Sequence, residues 1–203
     1  MKKTATRAPE ETRRRILNAA FAEFYRTGFQ GGSINRIVAE AGATKGALFH
    51  HFKDKNDLGY AVVEEIIQPR IRASWFDPLA DSIDPIADVK YTMRQFVKEE
   101  QERGRLVQGC PLNNLAQEMS PLDEGFHTRI DALYTTWRKV YAEVVAAGIK
   151  SGTVRKDVVP QDVAALVVAS QMGIWGTGKS SRNKDLMTQA GEAVCAYLDS
   201  LKP

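Results

Sequence analysis

Thr44, Lys45, Gly46, Ala47, Phe49 and His50 fall within seven consecutive residues and bring a hydroxyl, a cation and an imidazole together. None of them occupies the apolar positions of the local pattern, so they are free to face a partner. Lys45 has the reach for a guanine edge or a phosphate. Thr44 at a helix start can offer a hydroxyl and a backbone N–H to a phosphate. Gly46 costs a helix about 1 kcal/mol relative to Ala, and close approach of backbone to a duplex is a reason to keep it. Small and polar residues near the start of a short helix suit entry into a major groove. Lys55, at the start of the following helix, is a further phosphate candidate, and at least one of Arg13, Arg14 and Arg15 could reach a phosphate across the minor groove. The competing reading is a small helical hairpin whose charges are merely solvated.

The elements that must position these residues are helical. Ile16, Leu17, Ala20, Phe21 and Phe24 lie on one face of a first helix, and Gly28 can take the left-handed stop. Ser33 caps a second helix carrying Ile34, Ile37, Val38 and Ala41. Gly42 makes the turn, Thr44 caps a third helix held by Leu48 and Phe52, and Asp54 opens a long fourth helix that Pro69 should kink or interrupt. Further on, Asp84-Pro85, Ser120-Pro121 and Val159-Pro160 read as helix starts, with Ser120 and Asp123 as a capping pair. Gly104, Gly152 and Gly178 read as stops. The expectation is an all-α chain of about nine helices without strands.

Composition narrows the function classes. The chain has 203 residues, 43% of them hydrophobic, and a net charge of +3. Up to Lys55 there are 11 Lys/Arg against 5 Asp/Glu, a balance of +6; the remainder holds 17 against 20, a balance of −3. A basic first quarter on a mildly acidic body points to a polyanion partner for that quarter alone. No apolar run of membrane-spanning length occurs, so no membrane partner is expected. The start, MKKTATRAPEETRRR, leads into an amphipathic helix, not the apolar core of a signal peptide. Cys110 and Cys195 are far apart and have no ligand-like spacing, so neither a disulfide, a metal site nor a cofactor is indicated, and the expected compartment is the cytoplasm. A small helical enzyme built on His50, His51 and His127 finds no nucleophile motif, and adjacent His50 and His51 diverge on a helix.

The segment from Ser33 to Leu58 resembles the DNA-binding domain of TetR-family transcriptional regulators. Ser33, Ile37, Val38, Ala41, Gly42, Ala43, Thr44, Gly46, Leu48, Phe49, His51, Phe52, Lys55 and Leu58 stand in register with that family's pattern. Ser33, Val38, Ala43, Thr44 and Phe49 depart from its commonest residues. Phe49 replaces a tyrosine whose hydroxyl meets a phosphate, which shifts anchoring toward His50 or Lys55. The resemblance implies an N-terminal three-helix domain with a helix-turn-helix, residues 1–55, that binds double-stranded operator DNA through Ser33, Thr44, Lys45, Gly46, Ala47, Phe49, His50 and Lys55. It also implies a larger C-terminal helical domain, residues 56–203, that binds a small-molecule effector and forms a homodimer through the last two long helices. The output would be a ligand-responsive regulator, most commonly a repressor, on a palindromic operator, and not an enzyme.

Aromatics like those of the middle region are more often plain core than ligand wall, but the family resemblance implies a small-molecule site among these helices. Trp75, Phe96, Phe126, Trp137 and Trp175 are the lining candidates, with Asn113, Asn114 and Gln117 as orienting amides. Cys110 is the last candidate. It precedes Pro111 at an expected helix N-terminus, where a thiol's pKa falls and Lys179 or Arg105 could assist. Two alternatives therefore stay open: a redox or electrophile sensor acting through Cys110, and a DNA-binding protein that senses nothing.

Overall fold

The structure, a computed structural model, describes residues 7–104 and 108–203. Its described residues form nine helices and no strand: α1 (Arg7–Thr27), α2 (Ile34–Glu40), α3 (Lys45–His51), α4 (beginning as Lys55–Val62), α5 (Pro85–Glu102), α6 (Pro111–Met119), α7 (Glu124–Ser151), α8 (Pro160–Ser181) and α9 (Lys184–Asp199). All-α architecture is thus what the periodicity predicted. No described helix is long and apolar enough to cross a membrane.

Two compact units divide the chain. The first comprises Met1–Pro69 with Asn114–Ile130, the second Arg70–Asn113 with Asp131–Pro203. In the first unit Ile16, Ala20, Phe24, Ile37, Leu48, Phe52 and Leu58 are buried, the residues whose spacing marks the inner helix faces. Phe126 enters the same core and meets Phe29 at 4.7 Å and Tyr60 at 5.0 Å between ring centroids. Gly59 lets these rings approach: a Cβ there would stand 2.5 Å from Phe126 and 2.6 Å from Phe29. In the second unit the core is built from Trp75, Leu79, Ile86, Trp137, Tyr141, Val163, Val167, Trp175 and Leu198.

Three expectations about boundaries are corrected. Pro69 does not break α4. The backbone stays helical over residues 55–76, widening to π-type turns at Val63–Ile67 and Arg72–Phe76. A widened turn relocates carbonyls that a proline ring would otherwise strike. Ser120 does not start α7; Asp123 caps it, its carboxylate accepting from the Phe126 N–H at 2.9 Å. Gly178 does not end α8. That helix runs on to Arg182, which takes the left-handed conformation at φ 53°, while Gly178 makes room for the side chain of Met187. Gly104 and Gly152 do adopt positive φ at helix ends.

Candidate nucleic-acid interface and effector site

The second helix of the hairpin is built to stand firmly and present its outer face. Ser33 caps α2, its hydroxyl accepting from the Arg36 N–H at 3.4 Å. Gly42, at φ 57°, turns the chain with a backbone few residues besides glycine adopt. Thr44 caps α3 by accepting from the Ala47 N–H at 3.1 Å, and Asp54 caps α4 by accepting from the Asp57 N–H at 2.8 Å. Leu48 and Phe52 are buried on the inner side of α3. Thr44, Lys45, Gly46, Phe49 and His50 are exposed, with Ala47 half-buried. Phe49 is 48% exposed, far more than a packing role would leave it. The structure therefore brings Thr44, Lys45, Gly46, Ala47, Phe49 and His50 onto one accessible element.

Ser33 and Lys55 have duties inside the unit as well. The Lys55 ammonium donates to the Gln30 carbonyl at 3.1 Å and lies 4.9 Å from the Phe29 ring centroid. Its pKa is pushed down, chiefly by desolvation, against the opposing fields of Glu118 and Glu23. Arg13 is committed to Glu65 through two bonds of 2.6 Å and stacks over Phe52. Arg14 and Arg15 remain exposed.

A buried carboxylate, invisible to the sequence reading, organises the hairpin. Glu23 on α1 has no accessible side chain and accepts from the Ser33 N–H at 3.0 Å and the Arg36 Nε at 2.7 Å; Arg26 pairs with it too. The Arg36 bond, followed by the Ser33 N–H and Arg26, outweighs burial and holds its pKa down to about 2. Glu118 does related work at the α1–α2 loop, where its carboxylate accepts from the Phe29 and Gln30 N–H groups at 2.8 Å each. Asp123 accepts from the Tyr60 hydroxyl at 2.7 Å and the Asn56 amide at 2.9 Å.

The second unit gathers four of the ring candidates. Trp75 packs against Phe96 at 4.7 Å and Trp137 at 5.3 Å, and Phe96 meets Trp175 edge-on at 5.5 Å. Asn113 joins them on α6, donating to the Met172 carbonyl at 3.3 Å and accepting from the Tyr134 hydroxyl at 3.4 Å. Asn114, Gln117 and Phe126 belong to the first unit; there Gln117 is exposed and Phe126 is core. Cys110 is buried beside the α6 N-terminus. Desolvation raises its thiol pKa and outweighs the Asn113 and Leu112 N–H groups that favour the thiolate. Burial thus favours a small packed side chain over the alternative of an activated thiol, because a helix end favours an anion only where water or a cation shares the solvation. Arg105, one of the two helpers expected, lies outside the described residues. Both cysteines are free, and no described group of His, Cys, Asp and Glu could hold a metal.

Comparison with known families assigns both parts of the chain. Residues 16–62 match the family of bacterial regulatory proteins called tetR, and residues 85–194 match the tetracyclin repressor-like C-terminal domain. The chain belongs to the TetR family. It is 24% identical to the HTH-type transcriptional repressor DhaR of Mycobacterium sp. (strain GP1), over 87% of each chain. It is 31% identical to the HTH-type transcriptional regulator LmrA of Bacillus subtilis (strain 168), over 66% of this chain and 70% of that one. A TetR transcriptional regulator from Chloroflexus aurantiacus superimposes with a TM-score of 0.86 at 26% identity, covering 97% of this chain and 98% of the other. As a TetR-family member the chain is a helix-turn-helix transcriptional regulator, not an enzyme. Within the family frame, Glu23 and Gln171 are the buried polar residues that sequence patterning passed over. A charged or amide residue at a core position of its helix was the available signal.

Proposed function

We propose that this TetR-family regulator is a ligand-responsive repressor that binds a palindromic operator as a homodimer. Residues 1–55 would act as the DNA-binding domain and residues 56–203 as the effector-binding and dimerisation domain. The observation that carries the proposal is α3: its inner face is locked by Leu48 and Phe52, while Lys45, Gly46, Phe49 and His50 stand open to a groove. Lys45 and Ala47 read bases; Ser33, Thr44, Phe49, His50 and Lys55 meet the sugar-phosphate wall. The similarity to DhaR, a transcriptional repressor, supports the sign of control.

Pairing rests on α8 and α9. Val163 and Val167 face inward, whereas Leu166, Ala165, Ala169, Gly173, Leu186 and Ala193 remain exposed on the other side. An exposed face of small and apolar residues suits close packing against its own copy. The effector binds among the rings of the second unit and favours the state with lower operator affinity, by as much as its affinities for the two states differ. The protein works in the cytoplasm.

A footprint on the promoter beside the protein's own coding region tests the DNA function. A protected palindrome with half-sites about one helical turn apart is the expected result. Protection that spreads evenly over any duplex and follows salt alone would replace it with sequence-blind binding. Light scattering at micromolar concentration tests the pairing, and a monomer there would refute it.

A further inference from the structure

We propose that Glu118 is a positioning residue for DNA binding: it fixes the loop between α1 and α2 on which the Lys55 ammonium is seated, and so sets where that ammonium meets a phosphate. The inference rests on Lys55 as one of the phosphate contacts proposed above, and it adds to that DNA-binding surface a residue from far along the chain. Glu118 stands near the end of α6, inside the segment Asn114–Ile130 that folds with the first unit. Its carboxylate grips two consecutive backbone groups. One oxygen accepts from the Phe29 N–H and the other from the Gln30 N–H, at 2.8 Å each, across 89 and 88 positions of sequence. Gly28 makes that grip possible. At φ 78° it turns the chain out of α1, and a Cβ there would stand 3.0 Å from both Glu118 oxygens. A charged acceptor holds an N–H about twice as strongly as a neutral one.

Lys55 rests on the same two residues. Its Nζ donates to the Gln30 carbonyl at 3.1 Å and lies 4.9 Å from the centroid of the Phe29 ring. The carbonyl and the ring that seat the ammonium therefore belong to the residues whose N–H groups Glu118 holds. The ring is itself fixed, packing on Phe24 at 5.0 Å and on Phe126 at 4.7 Å between centroids. Gln30 is exposed and Lys55 half-buried, so the seat lies at the surface. An ammonium carries three donors, and the Gln30 carbonyl takes one of them, which leaves two for a phosphate. Desolvation lowers the Lys55 pKa, and the field of Glu118 works against it, which favours the charged form. A lysine without such a seat must give up the freedom of a long flexible stem when it binds.

Charge alone predicts the opposite sign. A carboxylate close to a phosphate contact repels the polyanion, so its removal would tighten DNA binding if Glu118 acted only through its field. A positioning role predicts weaker binding. Glu118→Gln keeps one acceptor oxygen and turns the other into an amide donor, so one of the Phe29 and Gln30 N–H groups loses its bond. The loop that seats Lys55 is then held at one point instead of two.

Fluorescence anisotropy of the full chain with a mixed-sequence duplex of about 30 base pairs, from about 50 to about 200 mM KCl, tests the assignment. The proteins compared are the parent, Lys55→Met, Glu118→Gln and the double variant. Lys55→Met should weaken binding by about three- to tenfold at about 100 mM KCl and make the salt dependence shallower, by about 0.9 in the logarithmic slope per head. Glu118→Gln should weaken binding by a similar factor and flatten the slope in the same direction. In the Lys55→Met background it should cost less than about twofold more, because its effect passes through the missing ammonium. Glu118→Asp keeps the charge and draws it back by one methylene; it should weaken binding likewise, and it supplies the comparison should Glu118→Gln lose its circular dichroism. Binding by Glu118→Gln as tight as the parent's or tighter, or an equal further loss in the Lys55→Met background, would overturn the proposal. Lys55→Met binding as the parent does would instead remove Lys55 as a phosphate contact, and with it the reading on which the proposal rests.

Discussion

Glu23→Gln isolates what a buried carboxylate contributes to the reading head. The substitution keeps the shape and one carbonyl acceptor but removes the charge that Arg26 and Arg36 face. A carboxyl pKa held near 2 instead of 4.5 corresponds to about 3 kcal/mol of folding free energy at neutral pH. Both guanidiniums are about half exposed, so screening by water brings this nearer to about 2–3 kcal/mol. For a chain of this length the melting temperature should fall by about 5–10 °C. The sign with pH is definite. The folded-state pKa is depressed, so the stabilisation is fully present above the unfolded value and fades as pH falls from about 5 toward about 2. By about pH 3 less than half of it remains. Urea unfolding of both proteins at pH 7, 4 and 3 measures this directly. Glu23 also accepts the Ser33 N–H at the start of α2, so operator affinity should drop along with stability. Equal stability of the two proteins at pH 7, or a gap that persists undiminished at pH 3, would show that the carboxylate does not act through its charge.

Three further outcomes follow from particular contacts. Lys45→Ala should weaken operator binding by about 1–3 kcal/mol at constant salt without lowering the melting temperature, and an unchanged shift assay would remove Lys45 as a base reader. Gly59→Ala should destabilise the chain by about 1–3 kcal/mol, because the added methyl meets the buried rings of Phe29 and Phe126; a melt matching that of the parent would show that those rings can give way. Cys110→Ser should leave operator release by peroxide unchanged, since burial holds the thiol protonated; a lost peroxide response in a reporter strain would restore the cysteine as a sensor.

Residues three and four positions apart carried most of what could be read in advance. The caps at Ser33, Thr44 and Asp54, the left-handed Gly28 and Gly42, and the apolar faces of α1 to α3 depend on bonds and contacts made within a turn or two. Such features are local, so the chain itself determined that a helix-turn-helix would form and which of its residues would stay outside. It also determined the family, because the pattern from Ser33 to Leu58 encodes both the inner and the outer face of that hairpin.

Tertiary structure decided the rest. Nothing near Phe126 in sequence says that it fills the core beneath Phe29 and Tyr60, or that Glu118 holds the backbone of Phe29 and Gln30 across 89 and 88 positions. The same holds for Cys110, where the helix end was legible but the desolvation that overrides it depends on packing from elsewhere. Gln171 reads as an ordinary polar residue until α8 is seen to turn it inward beside Tyr141. Periodicity and capping are set by covalent neighbours, whereas burial and charge pairing depend on which distant surfaces meet.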